Sequence, residues 1–75
     1  MKKKDYSDIP KIYGKNVKKM RLLRKLSQEG LSKKSGLHWT YISSVERGER
    51  NISLINIYKI AKALNFPLEN FLPNV

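Results

Sequence analysis

The chain has 75 residues, no cysteine, and 16 Lys and Arg against 6 Asp and Glu, for a formal net charge of +10. That length reads as one domain, without room for a second ligand-binding or self-cleaving module, and its core must stand on packing because disulfides and thiolate metal sites are excluded. No apolar run approaches the roughly 18 residues of a membrane span, and no signal-peptide core follows the basic start, so a soluble, unprocessed protein of a reducing cytoplasm is expected.

The charge is uneven: residues 1–25 hold 10 Lys and Arg and only 2 Asp. A small domain this basic draws polyanions, because neutralising phosphates releases condensed counterions. Basic surface can also serve solubility alone, so charge by itself does not name the partner. Residues 1–10, MKKKDYSDIP, show no sustained helical period and read as a flexible basic arm, either solvated or touching a DNA backbone or minor groove. Residues 11–75 form the expected domain. From about Ile12 to Arg24, Tyr13, Val17, Met20 and Leu23 recur at three- and four-residue spacings, which predicts an amphipathic helix with Lys15, Lys18, Lys19 and Lys25 on its solvated side.

Ser27 is a good N-cap for a second helix from Gln28 to about Ser35. Gly30 removes the glutamate that would complete a capping box and costs about 1 kcal/mol against alanine inside a helix. Gly36 can take the left-handed conformation that ends the helix, and Leu37 plugs the core beneath the turn. A third helix runs from about Trp39 to Glu46. With Leu31, Leu37, Ile42 and Val45 facing inward, the two short helices and their sharp turn have the form of a helix-turn-helix, whose second helix lies against base edges in the major groove. Its outer face, Thr40, Ser43, Ser44 and Arg47, is short, polar and mostly uncharged, which suits close approach to bases.

Gly48 stops that helix and Glu49 to Ile52 form a loop. Ser53 caps a helix from Leu54 to Leu64 with an inward stripe of Leu54, Ile57, Ile60, Ala61 and Leu64. Asn65 is placed to end it in the left-handed region, and Pro67 to open a further helical turn. That last turn is apolar through Leu68, Phe71 and Leu72. These side chains either close the core or, with Ile55, Tyr58 and Phe66, form a homodimer interface; the second is the preferred reading, because so small a domain has little core left to cover. The fold class is therefore all-α, a compact five-helix domain.

Ser27-Gln28, Gly36 and the run Ile42-Ser43-Ser44-Val45-Glu46-Arg47-Gly48 make the chain resemble the lambda-repressor and Cro-like (XRE) helix-turn-helix family over about Tyr13 to Leu72. More narrowly, Thr40-Tyr41-Ile42-Ser43, Glu46-Arg47-Gly48 and Arg50-Asn51-Ile52-Ser53 look like the controller proteins of bacterial restriction-modification systems. The resemblance implies a sequence-specific transcriptional regulator that binds a palindromic operator as a dimer. It implies that Gln28 meets a phosphate or base edge, that Thr40, Ser43 and Ser44 face bases, and that the Tyr41 hydroxyl reaches the sugar-phosphate backbone. It further implies that Arg47, Arg50 and Asn51 grip backbone beyond the recognition helix or reach a base. Arg21 and Glu46 hold the places of a buried ion pair that fixes the recognition helix to the scaffold.

Two positions depart from that pattern. Trp39 stands where controller-like sequences often carry a guanine-reading arginine; the indole either packs on a thymine methyl or sugar, or folds back as an anchor of the helix start. Lys25 stands where a glycine often ends the first helix. An enzyme is the weakest class, since the chain has one histidine, scattered carboxylates and no phosphate-binding glycine loop. No metal and no cofactor are expected; the partners are double-stranded DNA, a second copy of the chain, and RNA polymerase if it activates, with no membrane. The alternatives are a prophage or chromosomal Cro/repressor-type regulator and the DNA-binding antitoxin of a toxin pair. The expected location is the bacterial cytoplasm, at the nucleoid.

Overall fold

The computed structural model describes residues 5–73, which form four α-helices and one 3₁₀ turn, with no strand among them. In chain order these are α1 (Ile9–Leu23), α2 (Gln28–Ser35), α3 (Trp39–Glu46), α4 (Leu54–Leu64) and the turn Leu68–Asn70. The all-α class and the helix-turn-helix hold; the expected fifth helix is a single 3₁₀ turn. Pro67 opens it and Pro73 follows within a few residues, so the segment is too short to close a full α-helical ladder.

Helix α1 starts three residues before the expected Ile12 and so crosses the boundary drawn after residue 10. The first turn of a helix has no intrahelical use for its N–H groups, so Pro10, near the first helical position, is compatible with helix there. The Ile9 N–H is satisfied by the Tyr6 carbonyl at 3.1 Å. The three lysines of the expected arm, Lys2 to Lys4, lie outside the described residues.

The core comprises Tyr13, Val17 and Met20 of α1, Leu31 of α2, Ile42 and Val45 of α3, Ile60, Ala61 and Leu64 of α4, and Phe71. Helix α1 packs on α3 and α4, and α2 packs on the same two helices. The Tyr13 hydroxyl is buried without a hydrogen-bond partner, and burial pushes its pKa up.

Three expectations about packing are corrected. Leu23 is 60 % exposed. Arg24, the C-cap residue four past Met20, is exposed but falls on the same flank of α1 as the buried stripe. Its guanidinium lies 4.0 Å over the Phe66 ring and donates to the Leu64 and Asn65 carbonyls, closing the end of α4. Leu54 is 76 % exposed, because the packed stripe of α4 begins one turn later, at Ile57. Phe71 is fully buried against Tyr13 and Phe66, with its carbonyl accepting from Asn16 Nδ2 at 2.9 Å, so it belongs to the core and not to a dimer face.

The helix ends follow local chemistry. Ser27 and Ser53 accept from the Gly30 and Asn56 amides at 2.9 and 3.2 Å, each satisfying a first-turn donor. Lys25 ends α1 at φ +56°, with the Leu26 N–H reaching back to the Arg21 carbonyl at 3.1 Å in the pattern of a Schellman cap.

Candidate nucleic-acid interface

Helices α2 and α3 meet at a turn whose backbone is fixed from both sides. Gly36 has φ +76°, the Ser32 hydroxyl donates to the Leu37 carbonyl at 2.5 Å, and the Leu37 N–H donates to the Ser35 hydroxyl at 3.2 Å. His38 then caps α3, its Nδ1 accepting from the Thr40 N–H at 3.2 Å.

The far end of α3 is held by α1. A Cβ built on Gly14 would stand 2.2 Å from the Val45 carbonyl oxygen and 2.9 Å from that of Glu46, so only glycine permits this approach of the two backbones. Sequence reasoning passed over Gly14. Its signal was a glycine in a helix interior, a position that costs stability unless something else needs the space. About two turns further along α1, Arg21 grips Glu46 with two parallel bonds, Nε to Oε2 at 2.7 Å and Nη2 to Oε1 at 3.0 Å. Its Nη1 donates to the Leu26 carbonyl at 2.8 Å. The hydrogen bonds Arg21 donates to Glu46, with the carboxylate's charge, raise the Arg21 pKa above the ordinary arginine value, so the guanidinium stays cationic.

Gln28, half-buried at the start of α2, donates from Nε2 to Glu46 Oε1 at 3.2 Å. It therefore joins α2 to the same carboxylate instead of projecting freely toward solvent. Three helices converge on Glu46.

The outer side of α3 is different. Thr40 and Trp39 are exposed, the indole 48 % so, and the Trp39 ring stacks on His38 with centroids 6.1 Å apart. The Thr40 hydroxyl sits 2.6 Å from His38 Nδ1. Ser43 accepts from Arg47 Nη1 at 2.5 Å, and Arg47 is paired bidentately with Glu49 at 3.0 and 3.1 Å. That hydrogen-bonded pairing lowers the Glu49 pKa and raises that of Arg47.

Ser44 is corrected. It is only 6 % exposed, its hydroxyl donating to the Tyr41 carbonyl at 2.7 Å and accepting from Arg50 Nε at 2.9 Å. Helical spacing alone leaves Ser44 outside; the loop after α3 covers it. Gly48, at φ +76°, turns the chain there, the Glu49 N–H returning to the Ser44 carbonyl at 3.0 Å and bringing Arg50 across the helix. Arg50 stays exposed, with its guanidinium 5.4 Å from the Tyr41 ring centroid. Tyr41 is half-buried and its hydroxyl accepts from Asn56 Nδ2 at 3.1 Å. Asn51 is exposed on the same loop.

The structure thus gathers Thr40, Ser43 and Arg47 on one open edge, with Trp39 at its start and Arg50 and Asn51 at its end. It withdraws Ser44 into the scaffold and turns Gln28 toward Glu46. Of the expected dimer residues, Ile55 and Tyr58 are 69 % and 57 % exposed and Leu72 is 40 % exposed. Tyr58 lines one groove with the half-buried Phe66 and Leu68. Among the described residues no group of three His, Cys, Asp or Glu could hold a metal ion, and no helix is long and apolar enough to cross a membrane.

Comparison with known proteins is consistent across sequence and structure. The helix-turn-helix family pattern matches residues 17–71. The chain is 52 % identical over 60 residues to the control protein C.SmaI of Serratia marcescens, covering 80 % of this chain and 71 % of that one. It is 49 % identical over 59 residues to the control protein C.BamHI of Bacillus amyloliquefaciens, covering 77 % and 73 %. The crystal structure of the restriction-modification controller protein C.AhdI from Aeromonas hydrophila superposes with a TM-score of 0.83 at 40 % identity, over 89 % of this chain and 100 % of that one.

Proposed function

The chain belongs to the XRE-type helix-turn-helix family of DNA-binding transcription regulators, among the controller proteins of restriction-modification systems, and from that premise we propose that it reads a palindromic operator as a homodimer. The observation that carries the proposal is the open edge of α3. Thr40 and Ser43 offer short hydroxyls to base edges, where each can donate or accept. Arg47, Arg50 and Asn51 extend the footprint to the phosphates, with the Tyr41 ring 5.4 Å from the Arg50 guanidinium. Phosphate contacts set register and affinity; the hydroxyl row sets sequence preference. Gln28 contributes from the start of α2 with whatever hydrogen-bonding capacity its bond to Glu46 leaves. Trp39 presents an apolar ring that suits a thymine methyl or a sugar.

One recognition helix specifies only a few base pairs, and a two-fold dimer doubles that number with half-sites about 34 Å apart, or a multiple of it. Ile55, Tyr58 and Leu72, with Phe66 and Leu68 beside Tyr58, supply apolar surface suited to the pairing. The protein works in the cytoplasm at the nucleoid, and contacts RNA polymerase where its operator position makes it an activator.

The test is selection of binding sites from a random duplex pool, followed by sedimentation of the complex. A palindrome occupied by two protomers is the expected result. A site without two-fold symmetry, or one protomer per site at tens of micromolar, overturns the dimeric reading. A neighbouring endonuclease or methyltransferase gene is the genomic context this role predicts.

A further inference from the structure

We infer that Lys11 and Lys18 of α1 form a second DNA-backbone track beside the recognition helix, resting on the DNA-binding reading above. Both are exposed and neither forms an ion pair among the described residues. They are seven residues apart, two helical turns, which places them about 10 Å apart along one flank of α1. At about 100° per residue both lie within roughly 60° of Gly14, one on each side of it along the axis.

Gly14 fixes where that flank sits. It touches the Val45 and Glu46 carbonyls at the end of α3, and the Lys11 stem packs on the turn that follows: a Cβ built on Gly48 would stand 2.7 Å from Lys11 Cγ and 2.9 Å from its Cα. The same turn carries Arg47. The other side of α1 is occupied, with Tyr13 against Phe71 and Asn16 bonded to the Phe71 carbonyl. This flank of α1, with Lys11 and Lys18 on it, therefore runs past the C-terminal end of α3 and the turn after it.

A phosphate backbone fits this surface. Lysine is a flexible point charge that needs no fixed geometry at its partner, and duplex DNA presents one charge per roughly 1.7 Å of axis. A recognition helix held in the major groove brings phosphates along its flanks, and Arg47 marks the nearer one. The track also gives a use to the unequal charge of the chain, whose first 25 residues hold 10 of its 16 Lys and Arg.

The experiment compares the full chain with Lys11→Gln/Lys18→Gln and with the control Lys19→Gln/Lys59→Gln. Lys19 is turned about 140° from Gly14 on the same helix, and Lys59 is exposed on α4. Fluorescence anisotropy is read against the selected operator and a random duplex across a salt series. The track predicts that the first variant loses at least about ten-fold in affinity for both duplexes at low salt. Its log–log salt slope should flatten by about 0.9 per lysine per protomer, while the control stays at the wild-type slope. Lys11→Arg/Lys18→Arg, which keeps both charges and the long stems, should restore the wild-type slope and so separates charge from packing on Gly48. Equal behaviour of the first variant and the control, or failure of the arginine pair to restore binding, overturns the track. A wild-type chain that shows no salt-dependent binding of any duplex overturns the DNA-binding reading itself, and the track with it.

Discussion

Arg21–Glu46 and Arg47–Glu49 join the same side-chain types at 2.7 and 3.0 Å around the end of α3, yet the first pair is 9 % and 4 % exposed and the second 56 % and 57 %. Burial makes the first a fastener. Each of its charges is desolvated and depends on the other, so neither can leave without stranding its partner. Water and salt screen the second, which holds Arg47 loosely and contributes little to stability. The inner wall of α3 is thus held by a buried pair while its outer edge carries an exposed one, and the Arg47–Glu49 pair can open without disturbing the scaffold.

Removing one partner of the buried pair should do the most damage. Arg21→Ala is expected to cost about 3 to 5 kcal/mol in urea or thermal unfolding, a large part of the stability of a domain this size. An unchanged melting transition would break the contrast outright. Gly14→Ala tests the same wall without touching charge. Alanine is normally favoured over glycine in a helix by about 1 kcal/mol, but here the methyl meets carbonyl oxygens, so a loss of roughly 1 to 3 kcal/mol is expected. A gain in stability would show that α1 does not press on α3.

Lys25→Gly should move the wall the other way. It releases a side chain from φ +56°, and a left-handed residue other than glycine costs roughly 1 kcal/mol; the melting temperature should rise by a few degrees, with DNA affinity changed only by the lost charge. Glu49→Gln should have the smallest effect on stability, within about 0.5 kcal/mol. It frees Arg47, so duplex binding at low salt should tighten by a few-fold with a steeper salt slope. If it destabilises the fold as Arg21→Ala does, the two pairs are not distinct.

Much of the frame was legible because it depends on neighbours in the chain. Ser27, Gly36, Ser53 and Asn65 each act on amides or carbonyls within a turn of themselves, so their residue types announce the helix ends. Thr40, Ser43 and Arg47 fall on the outer face of α3 by spacing alone. Ser44 shares that spacing and still ends inside, because what covers it is a loop whose path depends on Gly48. Leu23 and Leu54 fail for a related reason: periodicity gives the direction of a side chain but not whether another element reaches far enough to cover it. Arg24 fills the position near Leu23 with a cation whose partners, Phe66 and the end of α4, lie about forty residues away.

By itself the sequence determined the helix boundaries to within a few residues, the turn between α2 and α3 and the span of α3, since these rest on capping, backbone conformation and a 3.6-residue period. Only the tertiary structure decided that Phe71 completes the core, that Gly14 sets the distance between α1 and α3, and that Gln28 and Arg21 meet on one carboxylate. Those are contacts between segments distant in the chain, and their energies depend on distance and desolvation, neither of which is a property of residue order.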